Sequence, residues 1–207
     1  MESESEKGES ESGGGGAAAG ELSGGAEVRQ GNYFPGLHGV RVRGMGGGMI
    51  PTGIITVSDR ASRGEYDDLG GPALRAAVTE LGWTVQAEVL VPDETGRIQE
   101  AVRALAGQGC HLILTTGGTG IAARDVTPEA IRGIMRVELP GFGEAMRMKS
   151  FETLPNAILS RSLGAVVEQA LVIALPGKPQ GAVDCLRIVA GAVPHTVKVA
   201  RKEATTC

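Results

Sequence analysis

Apolar residues follow two alternating patterns along this chain from about residue 53 onward. Runs at 54–57, 85–91, 112–115 and 170–175 are short and largely apolar, which is typical of strands buried on both faces of a sheet. After three of these runs, apolar residues recur three or four positions apart, the spacing of an amphipathic helix, and Gly82 and Gly107 mark the ends of two such helices. The alternation predicts an α/β domain with a parallel sheet, helices on both faces and right-handed crossovers.

Polar segments follow four of the predicted strands. They are Ser58-Asp59-Arg60, Pro92-Asp93-Glu94, the loop that begins at Gly117, and Pro176-Gly177-Lys178. Open α/β sheets bind ligands beyond the carboxyl ends of their strands. We therefore expect the four loops to meet at one crevice, provided that the strands are neighbours in the sheet, which the pattern alone does not determine.

The segment 115–129, TTGGTGIAARDVTPE, is the strongest functional signal in the sequence. Gly117 to Gly120 follow a predicted strand directly, so that backbone N–H groups can gather around an anion. Thr127 and Pro128 are typical of an N-cap and a first helical residue, and they predict a helix N-terminus directed at the same place. Together with the carboxylate of Asp125, these groups suit a phosphate accompanied by a metal ion.

This loop matches neither of the two common nucleotide motifs. The segment that starts at Gly118 lacks the third glycine of the dinucleotide fingerprint, and Gly177-Lys178 is followed by Pro179 where a P-loop has Ser or Thr. A glycine-rich turn that merely brings strand and helix together is the simpler alternative. The sequence therefore predicts a different arrangement for any nucleotide.

Asp93 and Asp125 lie on two loops that follow consecutive predicted strands. Two carboxylates near an anion-binding loop require a cation between them, and Mg²⁺ takes one or two carboxylates together with phosphate oxygens. Each residue also has a structural alternative, because Asp93 could be the N-cap of the next helix and Asp125 a turn residue before Thr127. Both interpretations stay open at this point.

Other polar residues give weaker signals. Arg124, Arg161 and Lys178 are the basic residues that cluster best with these loops, although most Arg and Lys side chains are simply solvated. Met146 and Met148 are expected to pack on a helix face. The three His residues show no spacing for a metal or a catalytic triad, and no Ser, Cys or His lies in a nucleophile motif.

Composition limits the domain organisation. Residues 1–48 are rich in Glu, Ser and Gly and have few apolar residues, so we expect a disordered extension, followed by one domain from 49 to 207. The first twelve residues hold five Glu and one Lys, which accounts for the net charge of −4 and leaves the rest near neutrality. Neither nucleic-acid nor membrane binding is indicated. Met45 and Met49 precede the first predicted strand, so translation could also begin at either.

Cysteine usage and hydropathy predict a location. The chain has three widely spaced Cys without a C-x-x-C pair, which favours neither a disulfide framework nor a zinc site. The acidic start lacks the features of a signal peptide, and the longest apolar run is far below the roughly 20 residues that span a bilayer. We expect a cytoplasmic protein.

The motifs together resemble the molybdopterin adenylyltransferase family, which includes the N-terminal domain of gephyrin. The resemblance rests on TTGGTGIAARDVTPEAI, TVSDRASRGEYDD near residue 60, VPDE at 91–94, PGFGEAMRMKS at 140–150, LSRS at 159–162 and LPGKPQGAVDCL at 175–186. It covers residues 53–201 in order. It implies a three-layer α/β domain, usually a homotrimer, that uses Mg-ATP to adenylylate molybdopterin and hands the product to a separate metal-insertion protein.

The resemblance also assigns residues. Asp93 and Asp125 match the two essential aspartates, expected to be catalytic and to hold the metal. The expected nucleotide and molybdopterin contacts are Ser58, Asp59, Thr116, Gly117, Gly118, Thr119, Gly120, Arg124, Thr127, Met146, Ser150, Ser160, Arg161, Pro176, Gly177 and Lys178. The chain departs from the family at Lys178, where many relatives carry Ser, Asn or Gln, and at Gln180, where Lys is frequent. The contact that Lys178 makes is therefore open.

Two other functions compete with adenylylation. One is a member of the same family that binds molybdopterin without catalysis and serves as a scaffold, although retention of both aspartates speaks against it. The other is a nucleotide-dependent oxidoreductase on a similar sheet, which the missing dinucleotide fingerprint disfavours. Whether the downstream metal is molybdenum or tungsten, and what the acidic extension does, are not determined by the sequence.

Overall fold

A computed structural model describes residues 41–42 and 50–202 of the chain. The predicted disordered extension lies outside the described residues except for Arg41–Val42, and so do Met45, Met49 and Cys207. Within the described part, no helix is long and apolar enough to cross a membrane.

Seven strands form one mixed sheet in the order β1-β3-β2-β4-β7-β6-β5. Their bounds are β1 Arg41–Val42, β2 Pro51–Val57, β3 Thr84–Val91, β4 Leu112–Thr116, β5 Val137–Leu139, β6 Leu163–Val167 and β7 Ala170–Leu175. The four strands predicted from the sequence, β3, β2, β4 and β7, are contiguous and parallel to one another. This centre confirms the prediction of a mostly parallel sheet.

Seven α-helices accompany the described strands. They are α1 Asp59–Ser62, α2 Gly70–Glu80, α3 Thr95–Gly107, α4 Thr127–Arg132, α5 Pro140–Phe151, α6 Pro179–Val189 and α7 Val193–Ala200. Two 3-10 helices cover Pro155–Leu159 and Ala190–Ala192. Helices α2, α3 and α6 are the three that the apolar spacing predicted, and Gly82 and Gly109 follow the first two in the left-handed conformation.

The helices cover both faces of the sheet and create two cores. Helices α3 and α4 pack on one face, where Ile98, Leu105 and Ile131 are almost completely buried. Helices α2, α5, α6 and α7 pack on the other, around Leu74, Met146 and residues of α6 and α7. The structure is therefore the three-layer α/β sandwich that the resemblance implied.

The antiparallel strands were not predicted. β6 and β7 are separated by only two residues, with Val167 paired to Ala170, and Glu168 in this turn has φ +53°. β5 pairs antiparallel with β6, and β1 pairs antiparallel with β3. The run at 163–167 is completely buried, but the two-residue connection that forces a hairpin contains no typical turn pair such as Asn-Gly.

Candidate active site

The strand order brings the four polar loops to one edge of the sheet. Val57 pairs with Val91, and Thr116 pairs with Thr56 on one side and with Leu175 on the other. Because these four strands are parallel, the segments that follow them leave the sheet side by side. The strands are thus neighbours in the sheet, which is the condition that the expectation of one crevice required.

The loop after β4 depends on glycine at two positions. Gly117 has φ +109°, and a Cβ there would lie 2.1 Å from the carbonyl oxygen of Val57. Gly118 has φ +62°, and its Cβ would lie 2.4 Å from Oγ1 of Thr127 and 3.1 Å from Oδ1 of Asp93. Residues with a side chain rarely adopt such φ values and would also collide with these atoms. Glycine thus lets the loop fold closely over β2 and beside Asp93.

Two threonine hydroxyls fix this loop from beneath. Thr127 Oγ1 donates to the carbonyl of Gly117 at 2.9 Å, and Thr116 Oγ1 donates to the carbonyl of Pro176 at 2.8 Å. Both side chains are buried. The prediction that Thr127 is an N-cap is wrong: Val126 occupies that position, and the Thr127 hydroxyl is committed to the loop instead. Both threonines shape the site, and their role as ligand contacts stays a prediction.

Asp93 is joined to Asp59 by a reciprocal pair of hydrogen bonds. The backbone N–H of Asp59 donates to Oδ2 of Asp93 at 2.7 Å, and the N–H of Asp93 donates to Oδ1 of Asp59 at 3.0 Å. The N-cap alternative for Asp93 is wrong, because Glu94 is the N-cap of α3. The second oxygen of Asp93, Oδ1, is directed at the glycine loop.

Asp125 reaches the same loop from its far end. Its Oδ2 accepts the N–H of Ala122 at 2.8 Å, and its own N–H donates to the carbonyl of Ala122. A Cβ on Gly120 would lie 2.8 Å from this Oδ2 and 3.9 Å from Oδ1. Asp125 is therefore a turn residue, as the alternative proposed, and its carboxylate also borders the glycine loop.

Charge is distributed unevenly over these carboxylates. Arg124 forms a two-point ion pair with Asp59, with nitrogen–oxygen distances of 2.7 to 2.9 Å, and its hydrogen bond lowers the pKa of Asp59. Desolvation by burial raises the pKa of Asp93, and the negative charges of Asp59 and Asp125 act in the same direction; together they outweigh the hydrogen bond from the Asp59 backbone and the charge of Arg124, which lower it. Asp93 therefore carries an under-compensated charge that a cation would stabilise.

The donor set suits Mg²⁺. Among the described residues, no group of three or more His, Cys, Asp or Glu side chains is placed to hold a metal. Asp93 and Asp125 instead offer two carboxylates that both border the glycine loop. Gly118 has no Cβ and so leaves space beside Asp93 Oδ1, and Gly120 does the same beside Asp125 Oδ2. These two carboxylates would hold Mg²⁺, which proteins typically bind through one or two carboxylates together with substrate phosphates.

A cavity of about 710 Å³ lies on the other side of the loop. Thr119 and Gly120 border it, the buried Met146 and Cys185 lie in its wall, and Lys178 stands at its edge. The remaining lining residues include Arg147, Lys149, Ser150, Thr153, Leu154, Asn156, Leu159, Ser160, Pro176, Gly177, Asp184, Arg187 and Ile188. Asp93 and Asp125 do not line it. The site thus has two parts, a carboxylate side and a cavity side, with the glycine loop between them.

Several predicted contacts face this cavity. Ser150 Oγ lies 3.8 Å from Cys185 Sγ, and Ser160 Oγ lies 2.9 Å from Ser162 Oγ. Met146 packs in the core, as expected, but the same expectation is wrong for Met148, whose side chain is 73% exposed on the solvent face of α5. Lys178 is exposed and, within residues 50–202, forms no ion pair, unlike Lys149, which is bound to Glu152.

Ser58 and Arg161 are occupied within the protein. Ser58 Oγ accepts the N–H of Ala61 as the N-cap of α1 and lies 3.0 Å from the hydroxyl of Tyr66. Arg161 donates to the carbonyls of Gly120 and Asp125. The sequence found Met146, Ser150 and Ser160 in the cavity wall through their motifs. It missed lining residues such as Leu154, Asn156 and Ile188, which lie in none of the quoted motifs.

Comparisons with known proteins agree with this architecture. Residues 53–195 match the family model described as "Probable molybdopterin binding domain". A molybdopterin adenylyltransferase from Escherichia coli is 45% identical over 148 residues, which covers 70% of this chain and 76% of that protein.

Two solved structures are also similar. The molybdopterin biosynthesis enzyme MoaB from Thermus thermophilus is 39% identical, with a TM-score of 0.70, and the match covers 76% of this chain and 99% of that one. The tungsten cofactor synthesizing protein MoaB from Pyrococcus furiosus is 34% identical, with a TM-score of 0.67, over 73% of this chain and 97% of that one.

Proposed function

The chain belongs to the molybdopterin adenylyltransferase family, and from this premise we propose that it transfers the adenylyl group of ATP to molybdopterin with Mg²⁺ and releases pyrophosphate. The reaction is a step of molybdenum cofactor biosynthesis. The observation that supports the mechanism best is the two-part site, in which Asp93 and Asp125 border one side of the glycine loop and the cavity opens on the other.

We assign the triphosphate of ATP to the carboxylate side and the pterin to the cavity. The cavity combines apolar walls such as Met146 and Leu154 with polar groups, which suits a flat heterocycle with polar edges. We further assign the terminal phosphate of molybdopterin to Lys178, which lines the cavity and whose ammonium has no acidic partner within residues 50–202. The glycine loop would then lie between the two phosphates that react.

In the proposed reaction, an oxygen of the molybdopterin phosphate attacks the α-phosphorus of ATP. A new phosphorus–oxygen bond forms, the bond to the β-phosphate breaks, and pyrophosphate leaves with the electron pair. Asp93 and Asp125 would hold Mg²⁺, which would offset the negative charges of the two phosphates as they approach. The chain itself contributes position and electrostatics, with Arg124 holding Asp59 so that the Asp59 backbone fixes Asp93.

The test is pyrophosphate release from Mg-ATP in the presence of molybdopterin. Asp125→Asn and Asp93→Asn should fold normally and reduce turnover by on the order of a hundredfold or more, because a metal-binding carboxylate is lost at the reacting phosphates. Asp67→Asn is the matched control, since Asp67 is an exposed carboxylate in the loop after α1 and should leave turnover unchanged. Near-normal turnover in both site variants would overturn the metal assignment.

A non-catalytic molybdopterin-binding scaffold is the second candidate. It predicts tight binding of molybdopterin without any release of pyrophosphate from the wild-type protein, so the same assay separates the two functions. The homotrimer, the cytoplasmic location, the separate metal-insertion partner and the domain start near residue 49 stay predictions.

A further inference from the structure

Arg161 bridges both ends of the segment that connects the glycine loop to Asp125. Its Nε donates to the carbonyl of Gly120 at 2.7 Å, and a terminal nitrogen donates to the carbonyl of Asp125. The other terminal nitrogen pairs with the carboxylate of Glu129 in α4, and the backbone N–H of Arg161 donates to the carbonyl of Thr119 at 2.9 Å. One residue outside the loop thus holds four points on residues 119–129.

These contacts use three of the five N–H groups of the guanidinium. Nε and both terminal nitrogens each have a protein acceptor, and the side chain is only 33% exposed. The second hydrogen on each terminal nitrogen is left over, so the bridge and a phosphate contact are compatible. The sequence-based expectation that Arg161 contacts nucleotide or molybdopterin therefore stays a prediction.

The contacts bear on the position of Asp125. Its carboxylate borders Gly120 through Oδ2, and Arg161 ties the carbonyls of the same two residues to one planar group. If the bridge is removed, the turn at 120–125 is held mainly by the bonds between Ala122 and Asp125. The distance between Asp125 and the opposing Asp93 would then vary.

We propose that Arg161 is a positioning residue that fixes the 120–125 turn, so that the Asp125 carboxylate is held at the separation from Asp93 that a divalent cation with nucleotide requires. This proposal rests on the proposed function for its metal. Residues that orient metal ligands typically change metal affinity by about ten- to a hundredfold when they are replaced.

The experiment compares the wild type with Arg161→Gln, Arg161→Lys and Arg132→Gln in the full chain. Arg132 is the matched control, because it forms a two-point pair with Glu138 from the same helix α4 that carries Glu129, yet contacts nothing in the glycine loop. Mn²⁺ binding in the presence of a non-hydrolysable ATP analogue is followed by electron paramagnetic resonance. Molybdopterin binding is followed by fluorescence, and amide hydrogen exchange is measured across residues 118–126.

We expect both Arg161 variants to bind Mn²⁺ about ten- to a hundredfold more weakly and to exchange the 118–126 amides faster, with molybdopterin affinity within about twofold of the wild type. Lys should not rescue, because one ammonium cannot bridge three planar acceptors. Arg132→Gln should match the wild type in all three measurements.

Three results would overturn the proposal. If Arg161→Gln weakens molybdopterin binding and leaves Mn²⁺ affinity unchanged, or if Arg161→Lys has wild-type Mn²⁺ affinity, then Arg161 acts through its positive charge in direct contact with substrate. Unchanged amide exchange would remove the positioning role. A wild type that binds Mn²⁺ with nucleotide but never releases pyrophosphate would refute the proposed function alone, because the exchange and Mn²⁺ comparisons do not require turnover.

Discussion

Gly118→Ala tests whether two separate constraints require glycine at position 118. One is the positive φ of its backbone, and the other is the close approach of the Thr127 side chain. Ala at φ +62° costs about 1–2 kcal/mol for the left-handed backbone alone. Its Cβ would also lie 2.4 Å from Oγ1 of the buried Thr127, which cannot move without losing its bond to Gly117, and such overpacking adds about 1–3 kcal/mol. We expect a total loss of about 2–5 kcal/mol in the free energy of unfolding.

Gly64→Ala separates the two contributions. Gly64 has φ +72°, but a Cβ added there would meet no atom of the described residues within 4 Å, so this variant should lose only the backbone share of about 1–2 kcal/mol. Unfolding by urea is followed through Trp83, the single and buried tryptophan, at one fixed protein concentration because association alters apparent stability. The difference between the two variants then measures the contact at Thr127.

A double-mutant cycle with Thr127→Ala identifies the colliding atom. Thr127→Ala alone should cost about 1–3 kcal/mol, because the carbonyl of Gly117 loses its buried donor. In that background the cost of Gly118→Ala should fall most of the way toward that of Gly64→Ala, since the hydroxyl is gone and only the 3.1 Å contact with Asp93 Oδ1 remains. Equal losses for Gly118→Ala and Gly64→Ala in the wild-type background would refute the packing argument.

Three further predictions address single side chains. The pKa of Asp93 is raised in the folded state, so the wild type loses stability as the pH rises through that folded-state pKa. Asp93→Asn should therefore have the higher melting temperature at pH 7, and the difference between the two proteins should close toward pH 3. Thr115→Val should be neutral or stabilising in urea, because the buried Thr115 hydroxyl has no partner among the described residues. Lys178→Gln should raise KM for molybdopterin about tenfold. Lys149→Gln should leave KM unchanged, because Lys149 is paired with Glu152. Equal effects of the two substitutions would contradict a specific role for Lys178.

The parallel centre of the fold was predictable because its strands are short apolar runs followed by helical spacing. The carboxyl-end loops were predictable for the same reason, since their polar residues interrupt that pattern at Asp59, Asp93 and Gly117. The antiparallel half was not, because β6 and β7 are both fully buried and the hairpin direction depends on a two-residue turn with Glu168 at positive φ. Periodicity does not encode strand direction.

The cavity was harder to predict than the carboxylates for a physical reason. Asp93 and Asp125 carry chemistry that has few structural substitutes, whereas Leu154 and Ile188 would be equally suitable in an ordinary core or on an ordinary surface. Their contribution appears only when α5, α6 and the 3-10 helix are placed around a common space. A site wall made of such residues is a property of packing and has no sequence motif.

The polar residues of the site divide into two groups by what they already bind. Thr116 and Thr127 donate their hydroxyls to protein carbonyls, and Arg161 donates three N–H groups to two carbonyls and the Glu129 carboxylate. Their loss should therefore appear first in stability or loop exchange. Asp93 retains one carboxylate oxygen without a hydrogen bond, and Lys178 retains an ammonium that is unpaired within residues 50–202. The loss of either side chain should therefore appear first in ligand binding and turnover. Asp93→Asn should even gain stability. The motif 115–129 therefore contains residues of opposite behaviour under mutation, and a stability measurement beside each rate is needed to distinguish the framework of the site from its chemistry.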